Sequence, residues 1–123
     1  MDPLKQFRLD GRVAIVTGAS SGIGAVFAEA LAATGARVAL AARRGDRTKA
    51  LAEKIRSSGG EALPVSLDVT DTVSVKRAFD EVEAAFGLAT IVINNAGVAD
   101  SKTFLKTPRE ALDRTMGTNF FGA

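Results

Sequence analysis

A glycine-rich turn between a short apolar run and a helical pattern constrains this chain more than any other feature. Residues 13–16 (VAIV) form a continuous apolar run, which is typical of a strand buried on both faces. The turn that follows, residues 17–24 (TGASSGIG), contains three glycines. Gly18 permits a tight turn, Gly22 allows a pyrophosphate to approach the backbone, and Gly24 lets the next helix pack close to the strand. Together these features predict a phosphate-binding turn at the start of a helix.

The helix predicted after this turn covers residues 22–34. The glycine spacing of the turn is G-x-x-x-G-x-G, which differs from the G-x-G-x-x-G of other dinucleotide-binding proteins. No Gly-Lys-Ser or Gly-Lys-Thr follows, so a P-loop is excluded. An alternative interpretation is a glycine-rich turn without a ligand. The apolar residues of this helix recur at helical spacing and form one stripe of the kind that faces a core: Ile23, Val26, Phe27, Ala30 and Leu31.

Strand and helix patterns then alternate along the rest of the chain. Further strands are predicted over residues 37–42, 62–69 and 90–93. A second helix is predicted over residues 47–58, and a third begins at Asp71 or Thr72. A fourth helix begins at Thr107, with Pro108 at its first helical position. In the third helix a buried stripe is predicted from Val75, Phe79, Val82 and Phe86, and in the fourth a shared face from Leu112, Met116 and Phe120. Pro64 cannot donate to a strand ladder, so the third strand should lie at or near a sheet edge.

The alternation predicts an α/β fold in a single domain over residues 1–123. Right-handed crossovers between parallel strands give a doubly wound sheet of the Rossmann type with strand order 3-2-1-4.

Composition excludes several classes of function. The 123 residues contain no cysteine, histidine or tyrosine, which excludes disulfides, thiolate metal sites and a cysteine nucleophile, and no metal site is predicted. Asp, Glu and Lys remain as the usual side chains for proton transfer. A net charge of +2 is too small to indicate nucleic-acid binding. No apolar stretch is long enough to span a membrane, and the N-terminus lacks a secretory pattern, so we expect a cytoplasmic protein.

Four features, in this order, resemble the N-terminal half of the short-chain dehydrogenase/reductase family. They are residues 17–24 (TGASSGIG), 67–69 (LDV) and 94–97 (NNAG), followed by Asn119. The lead-in over residues 7–12 also fits, so the resemblance covers nearly the whole chain. The glycine turn and the NNAG segment are specific as a pair, whereas either alone would be much weaker.

The resemblance implies a nicotinamide cofactor and assigns roles by position. Ser20 and the backbone at Ile23 would meet the cofactor phosphates, while Asp68 by its side chain and Val69 by its main chain would hold the adenine. Asn94 is interpreted as a structural clamp. Asn119 matches the family's catalytic asparagine, which holds a water in a proton relay; without the family it would be a polar residue near a helix end. The full cofactor-binding set is Gly18, Ser20, Ser21, Gly22, Ile23, Gly24, Arg43, Arg44, Asp68, Val69, Asn95, Ala96 and Gly97.

The end of the second strand bears on which cofactor is bound. An acid there would bind the ribose 2′-hydroxyl of NAD, but the chain has Ala42 followed by Arg43 and Arg44. Guanidinium groups can hold a 2′-phosphate by paired hydrogen bonds, so NADP(H) is favoured and NAD(H) remains possible. Against this, the arginines could simply begin an exposed loop, and many NADP-binding relatives have a basic residue where Ser21 stands.

The resemblance also implies residues that this chain lacks. Family members are about twice as long, and their second half supplies a serine and a Tyr-x-x-x-Lys motif. We therefore expect the chain to be the cofactor-binding half of an oxidoreductase, either truncated or part of a longer protein, and to be inactive alone. An alcohol/carbonyl substrate and a homo-oligomer of the complete protein are expected. The alternatives are a non-catalytic dinucleotide-binding or regulatory module and a structural α/β domain without a ligand.

Overall fold

The computed structural model describes residues 3–20, 22–97 and 108–123, in which strands and helices alternate. The strands are β1 (Val13–Thr17), β2 (Arg37–Ala42), β3 (Glu61–Ser66) and β4 (Ile91–Ile93). The α-helices are α1 (Gly22–Ala33), α2 (Gly45–Ser57), α3 (Thr72–Phe86) and α4 (Arg109–Met116). A short 3-10 helix, Lys5–Phe7, precedes β1, and a π-helical segment, Gly117–Phe121, continues α4.

The strands form one parallel sheet in the order β3-β2-β1-β4. Ala14 of β1 lies in register between Val38 of β2 and Ile91 of β4. This is the order predicted from the sequence, so the doubly wound α/β fold is confirmed. Pro64 lies in β3, which pairs with β2 alone within the described residues, and the predicted edge position is also confirmed.

The core has two layers, one on each face of the sheet. Alternate residues of the buried strands point to opposite faces, so Val16 and Leu40 pack with α1 and α2, whereas Ile15 and Ala39 pack with α3. All five residues of β1 are buried, as expected for a strand with helices on both sides. The stripe predicted on α3 is confirmed: Val82 is buried, and Val75, Phe79 and Phe86 pack against the same cluster.

The stripe predicted for α1 is wrong, because the helix packs on the sheet through its small residues. Gly24, Ala28 and Ala32 are buried, whereas Ile23 is 67% exposed and Val26 is 66% exposed. Phe27 and Ala30 are exposed as well, and only Leu31 of the predicted stripe packs against the core. Small side chains let the helix lie close to β1, and this close approach decides which apolar face is buried.

Several element boundaries differ from those predicted, and two of the differences concern residues at or beside the predicted site. β3 ends at Ser66 instead of residue 69, so Asp68 lies in a turn outside the ladder. α2 begins at Gly45, two residues earlier than predicted, which places Arg47 in its first turn. Pro108 is the residue before α4 instead of its first helical residue, and Thr107 lies outside the described residues. Asp71 caps α3 as predicted, since its side chain accepts the N–H of Val73 at 3.0 Å.

Candidate functional site

A cleft of about 440 Å³ opens where the carboxyl ends of β1 and β2 and the segments after β3 and β4 meet. In open parallel sheets ligands bind at this end, where the chain connections turn to opposite sides. The lining residues are Thr17, Gly18, Ser20, Ala41, Ala42, Arg43, Arg44, Asp46, Arg47, Leu67, Asp68, Val69, Ala96, Gly97 and Thr118. Apart from the residues in the helical part of the glycine turn, most of the predicted site residues therefore lie around this one cleft.

The glycine turn forms one wall of this cleft. Gly18 and Gly22 have φ angles of +66° and +62°, a conformation that side chains other than glycine rarely adopt. A Cβ at Gly18 would lie 3.0 Å from the Cα of Ala96, whereas a Cβ at Gly22 would meet no protein atom within 4 Å. Gly22 therefore leaves room beside the first turn of α1, and the N-terminus of a helix favours an anion through its backbone N–H groups and the helix dipole. Ser21 lies outside the described residues.

Gly24 has a different role, because it allows close packing. A Cβ added there would lie 2.5 Å from Nδ2 of Asn95 and would clash with the carbonyl oxygen of Gly18. This agrees with the reason predicted for glycine at this position. Gly24 and Ile23 shape the start of α1 and are absent from the lining of the cleft.

Thr17 connects the glycine turn to the segment after β4. Its hydroxyl accepts the backbone N–H groups of Asn95 at 3.0 Å and Ala96 at 2.9 Å, and donates to the carbonyl of Ile93 at 3.3 Å. Sequence reasoning did not assign Thr17 a role. Its position directly before the first glycine, at the carboxyl end of β1, was the available signal.

The two neighbouring asparagines of residues 94–97 are distinguished by the fold. The side chain of Asn95 donates to the carbonyl of Gly18 at 3.3 Å, which ties the two loops together. The sequence interpretation gave this kind of structural role to Asn94. Ala96 and Gly97 line the cleft directly, whereas Asn95, which was predicted together with them, is absent from its lining.

Asp68 lies half-buried in the turn between β3 and α3 and is held by several hydrogen bonds. Its Oδ1 accepts the hydroxyl of Thr70 at 2.6 Å and the backbone N–H of Thr70 at 3.0 Å. Its own N–H donates to the hydroxyl of Ser74 at 2.9 Å. The Thr70 hydroxyl, then the Thr70 N–H and, to a smaller extent, the charge of Arg43 lower the pKa of Asp68, while partial burial opposes them. The carboxylate is therefore ionised at neutral pH.

Three arginines line the cleft near the end of β2: Arg43, Arg44 and Arg47. All three side chains are exposed, as is that of Asp46 beside them. Arg47 was not predicted as a site residue. Its place depends on the early start of α2, which the sequence pattern did not indicate.

Asn119 lies in the π-helical segment and approaches the cleft through Gly97. Its Oδ1 is 3.2 Å from the position that a Cβ at Gly97 would occupy. The neighbouring Thr118, which sequence reasoning missed, lines the cleft itself. At the end of the same segment, a Cβ at Gly122 would lie 2.7 Å from Cγ2 of Val69, so the segment packs against the adenine side of the predicted site.

A larger groove of about 800 Å³ lies at the opposite end of the sheet. Its charged residues form ion pairs with one another: Arg8 with Asp10, Arg37 with Glu61, and Lys54 with Glu29. Because these charges neutralise each other and the groove lies at the amino ends of the strands, we favour the smaller cleft. In the described part of the chain, no group of three His, Cys, Asp or Glu residues could hold a metal ion.

The sequence matches known proteins along nearly its whole length. Residues 12–123 match a family model described as short chain dehydrogenase. The chain is 41% identical over 116 residues to D-threitol dehydrogenase of Mycolicibacterium smegmatis, covering 94% of this chain and 45% of that protein. It is 40% identical over 116 residues to L-rhamnose 1-dehydrogenase (NAD(P)(+)) of Azotobacter vinelandii, covering 91% of this chain and 45% of that protein.

A solved structure shows the same fold. The crystal structure of a short-chain type dehydrogenase/reductase from Mycobacterium marinum superposes with a TM-score of 0.94 at 39% identity. The match covers 99% of this chain and 49% of that one. The chain thus spans less than half the length of each of these relatives.

Proposed function

The chain belongs to the short-chain dehydrogenase family, and from that premise we propose that it forms the cofactor-binding half of an NADP(H)-dependent oxidoreductase acting on an alcohol/carbonyl pair. The observation that carries the proposal is the single cleft in which the glycine turn, the arginines after β2 and Asp68 meet. A phosphate site, a cationic site and an adenine-binding acceptor together match the parts of a phosphorylated dinucleotide.

The residues of the cleft fit such a cofactor. The open space at Gly22 and the first turn of α1 would take the pyrophosphate, with Ser20 as a hydroxyl donor. Asp68 and Val69 would hold the adenine, and Ala96 and Gly97 would line the ribose and nicotinamide side. When bound, the nicotinamide supplies or accepts the hydride, and the chain binds and orients it.

The preference for NADP(H) rests on charge at the end of β2. Arg43, Arg44 and Arg47 present three guanidinium groups to the cleft, and each can bind phosphate by paired hydrogen bonds. Two acids, Asp46 and Asp68, line the same cleft and would oppose a phosphate, and Asp46 follows the first two arginines in the chain. The similar proteins leave the choice between NADP(H) and NAD(H) open, since the L-rhamnose 1-dehydrogenase is named for both cofactors.

Asn119 is proposed as the catalytic residue of this half. Beside Gly97, at the nicotinamide side of the cleft, its side-chain amide could hold a water between proton carriers. An amide has no proton to supply at neutral pH, and the 123 residues contain no tyrosine. The serine and the Tyr-x-x-x-Lys implied by the family would come from another part of the protein.

The proposal includes a cytoplasmic homo-oligomer. Among the described residues no helix has the length and apolar character needed to cross a bilayer. Ile23 on α1 and Leu112 on α4 are examples of exposed apolar side chains. Their exposure supports the proposal that these helices are covered further in the complete protein.

The test is a titration of the full-length protein with NADPH and with NADH, in which binding is monitored by the fluorescence of the reduced nicotinamide. We expect NADPH to bind more tightly by about 1–3 kcal/mol. Arg43→Ala should weaken NADPH binding and leave NADH binding nearly unchanged. Arg77→Ala removes an exposed arginine on α3 and is the matched control, which should change neither. Tighter NADH binding, or equal losses for both cofactors in Arg43→Ala, would contradict the preference.

A further inference from the structure

The turn after β3 holds one carboxylate, that of Asp68, in a defined orientation. The backbone N–H of Asp71 donates to the carbonyl of Asp68 at 3.1 Å, which closes the turn. The Ser74 hydroxyl accepts the N–H of Asp68, so the backbone of this residue is anchored to α3. The side chain is anchored separately, through Thr70.

The two bonds from Thr70 involve the same carboxylate oxygen. Hydroxyl and backbone N–H of Thr70 both donate to Oδ1 of Asp68, at 2.6 Å and 3.0 Å. Two donors on one oxygen restrict rotation of the carboxylate about its last torsion angle. Oδ2 therefore remains able to accept a hydrogen bond, and its direction is fixed. The residue that carries it, Asp68, lines the cleft.

From this arrangement we infer that Thr70 is a positioning residue, which orients Oδ2 of Asp68 to accept a hydrogen bond from the 6-amino group of adenine. The inference rests on the proposed function and adds to it a residue that does not touch the ligand. Thr70 itself is absent from the lining of the cleft. Its effect on binding would therefore pass through Asp68.

The chemistry of the base supports this assignment. The 6-amino group of adenine is a donor and a carboxylate is an acceptor, so the two are complementary. A preoriented carboxylate loses less rotational freedom on binding than a free one, which strengthens the same contact. The hydrogen bonds from Thr70 also favour the charged form of the carboxylate and so lower the pKa of Asp68.

The test compares NADPH with its hypoxanthine analogue in the full-length protein. The analogue has a carbonyl oxygen in place of the 6-amino group, so it has no donor at that position for Oδ2. Thr70→Ala should raise the Kd of NADPH by about 3- to 10-fold, the range of one hydrogen bond. The Kd of the analogue should change by less than about 2-fold, because the contact that Thr70 supports is missing there.

Two further variants separate positioning from a general structural effect. Thr70→Ser keeps the hydroxyl and should retain the wild-type preference for NADPH over the analogue. Thr72→Ala removes a nearby exposed threonine that begins α3 and should also retain it. Equal losses for both ligands in Thr70→Ala, or no loss for either, would overturn the inference. Failure of the wild-type protein to bind NADPH would instead contradict the proposed function.

Discussion

The hydroxyl oxygen of Thr17 lies 2.9 Å from the backbone nitrogen of Ala96, so the last residue of β1 holds a residue that follows β4 and lines the cleft. The same oxygen accepts the N–H of Asn95 and donates to Ile93, and Thr17 is only 5% exposed. One buried hydroxyl thus satisfies three backbone groups of a segment that is more than 70 residues away in the chain. The phosphate side and the nicotinamide side of the proposed site are connected through it.

Thr17→Val should lower stability and loosen the site. Valine has nearly the same shape but no hydroxyl, so the half-buried N–H of Ala96 loses its acceptor and that of Asn95 keeps only the carbonyl of Ile93, at a cost of about 1–3 kcal/mol. Chemical denaturation of the full-length protein measures this loss, and a cofactor titration should show weaker binding. Thr17→Ser retains the oxygen and should lose less stability. Equal stability of Thr17→Val and wild type would show that the hydroxyl does not hold residues 94–97.

Gly22→Val should abolish cofactor binding. Its side chain would fill the open space beside the first turn of α1, where the pyrophosphate must approach the backbone. The positive φ also makes valine strained there, so a control must carry the same strain. Gly59→Val provides it, because Gly59 has a φ of +88°, has open space around it and lies outside the cleft. Cofactor binding retained by a folded Gly22→Val variant would exclude the glycine turn as the phosphate site.

Asp68 should contribute to the loss of stability in acid. Its hydrogen bonds from Thr70 lower the folded-state pKa, while the unfolded chain takes up the proton near pH 4. The stabilisation is therefore complete above about pH 4 and is lost as the pH falls through the folded-state pKa. Asp68→Asn should reduce the slope of Tm against pH in this range, whereas Glu53→Gln, an exposed change on α2, should not. An unchanged slope in Asp68→Asn would contradict the prediction.

Residues 1–123 expressed alone should self-associate and show no dehydrogenase activity. Within the described residues β4 pairs with β1 only, and Val92 in its centre is 45% exposed. An apolar edge strand invites pairing with another chain. Sedimentation velocity should detect the association, and Val92→Lys should reduce it. NADPH oxidation with a panel of carbonyls should be undetectable, because these residues have no tyrosine or histidine. A monomer with measurable turnover would contradict both expectations.

Much of the fold follows from local patterns in the sequence. Apolar runs separated by helical patterns predict a parallel sheet, and the handedness of crossovers leaves the order 3-2-1-4, which the structure confirms. Pro64 indicated the edge strand, because the lack of a backbone donor is a property of the residue itself. Gly18 was predicted to permit a tight turn and Gly24 to allow close packing, and the positive φ of Gly18 and the close approach at Gly24 agree with those reasons.

The tertiary structure alone decided features that depend on distances between elements. α1 is apolar on both faces, so periodicity could not show that Gly24, Ala28 and Ala32 would face the sheet. Two adjacent asparagines look alike in the sequence, and only the folded chain shows that Asn95 binds Gly18.

The sequence by itself therefore determined the order of the elements, the family and the glycine positions, because backbone preference and apolar periodicity act over a few neighbouring residues. The tertiary structure decided where Thr17, Thr70 and Arg47 lie relative to the proposed site. Their contributions depend on where a strand ends, where a helix begins and which carboxylate oxygen accepts a bond. Those positions are set by packing between segments that are distant in the chain, which no local pattern records.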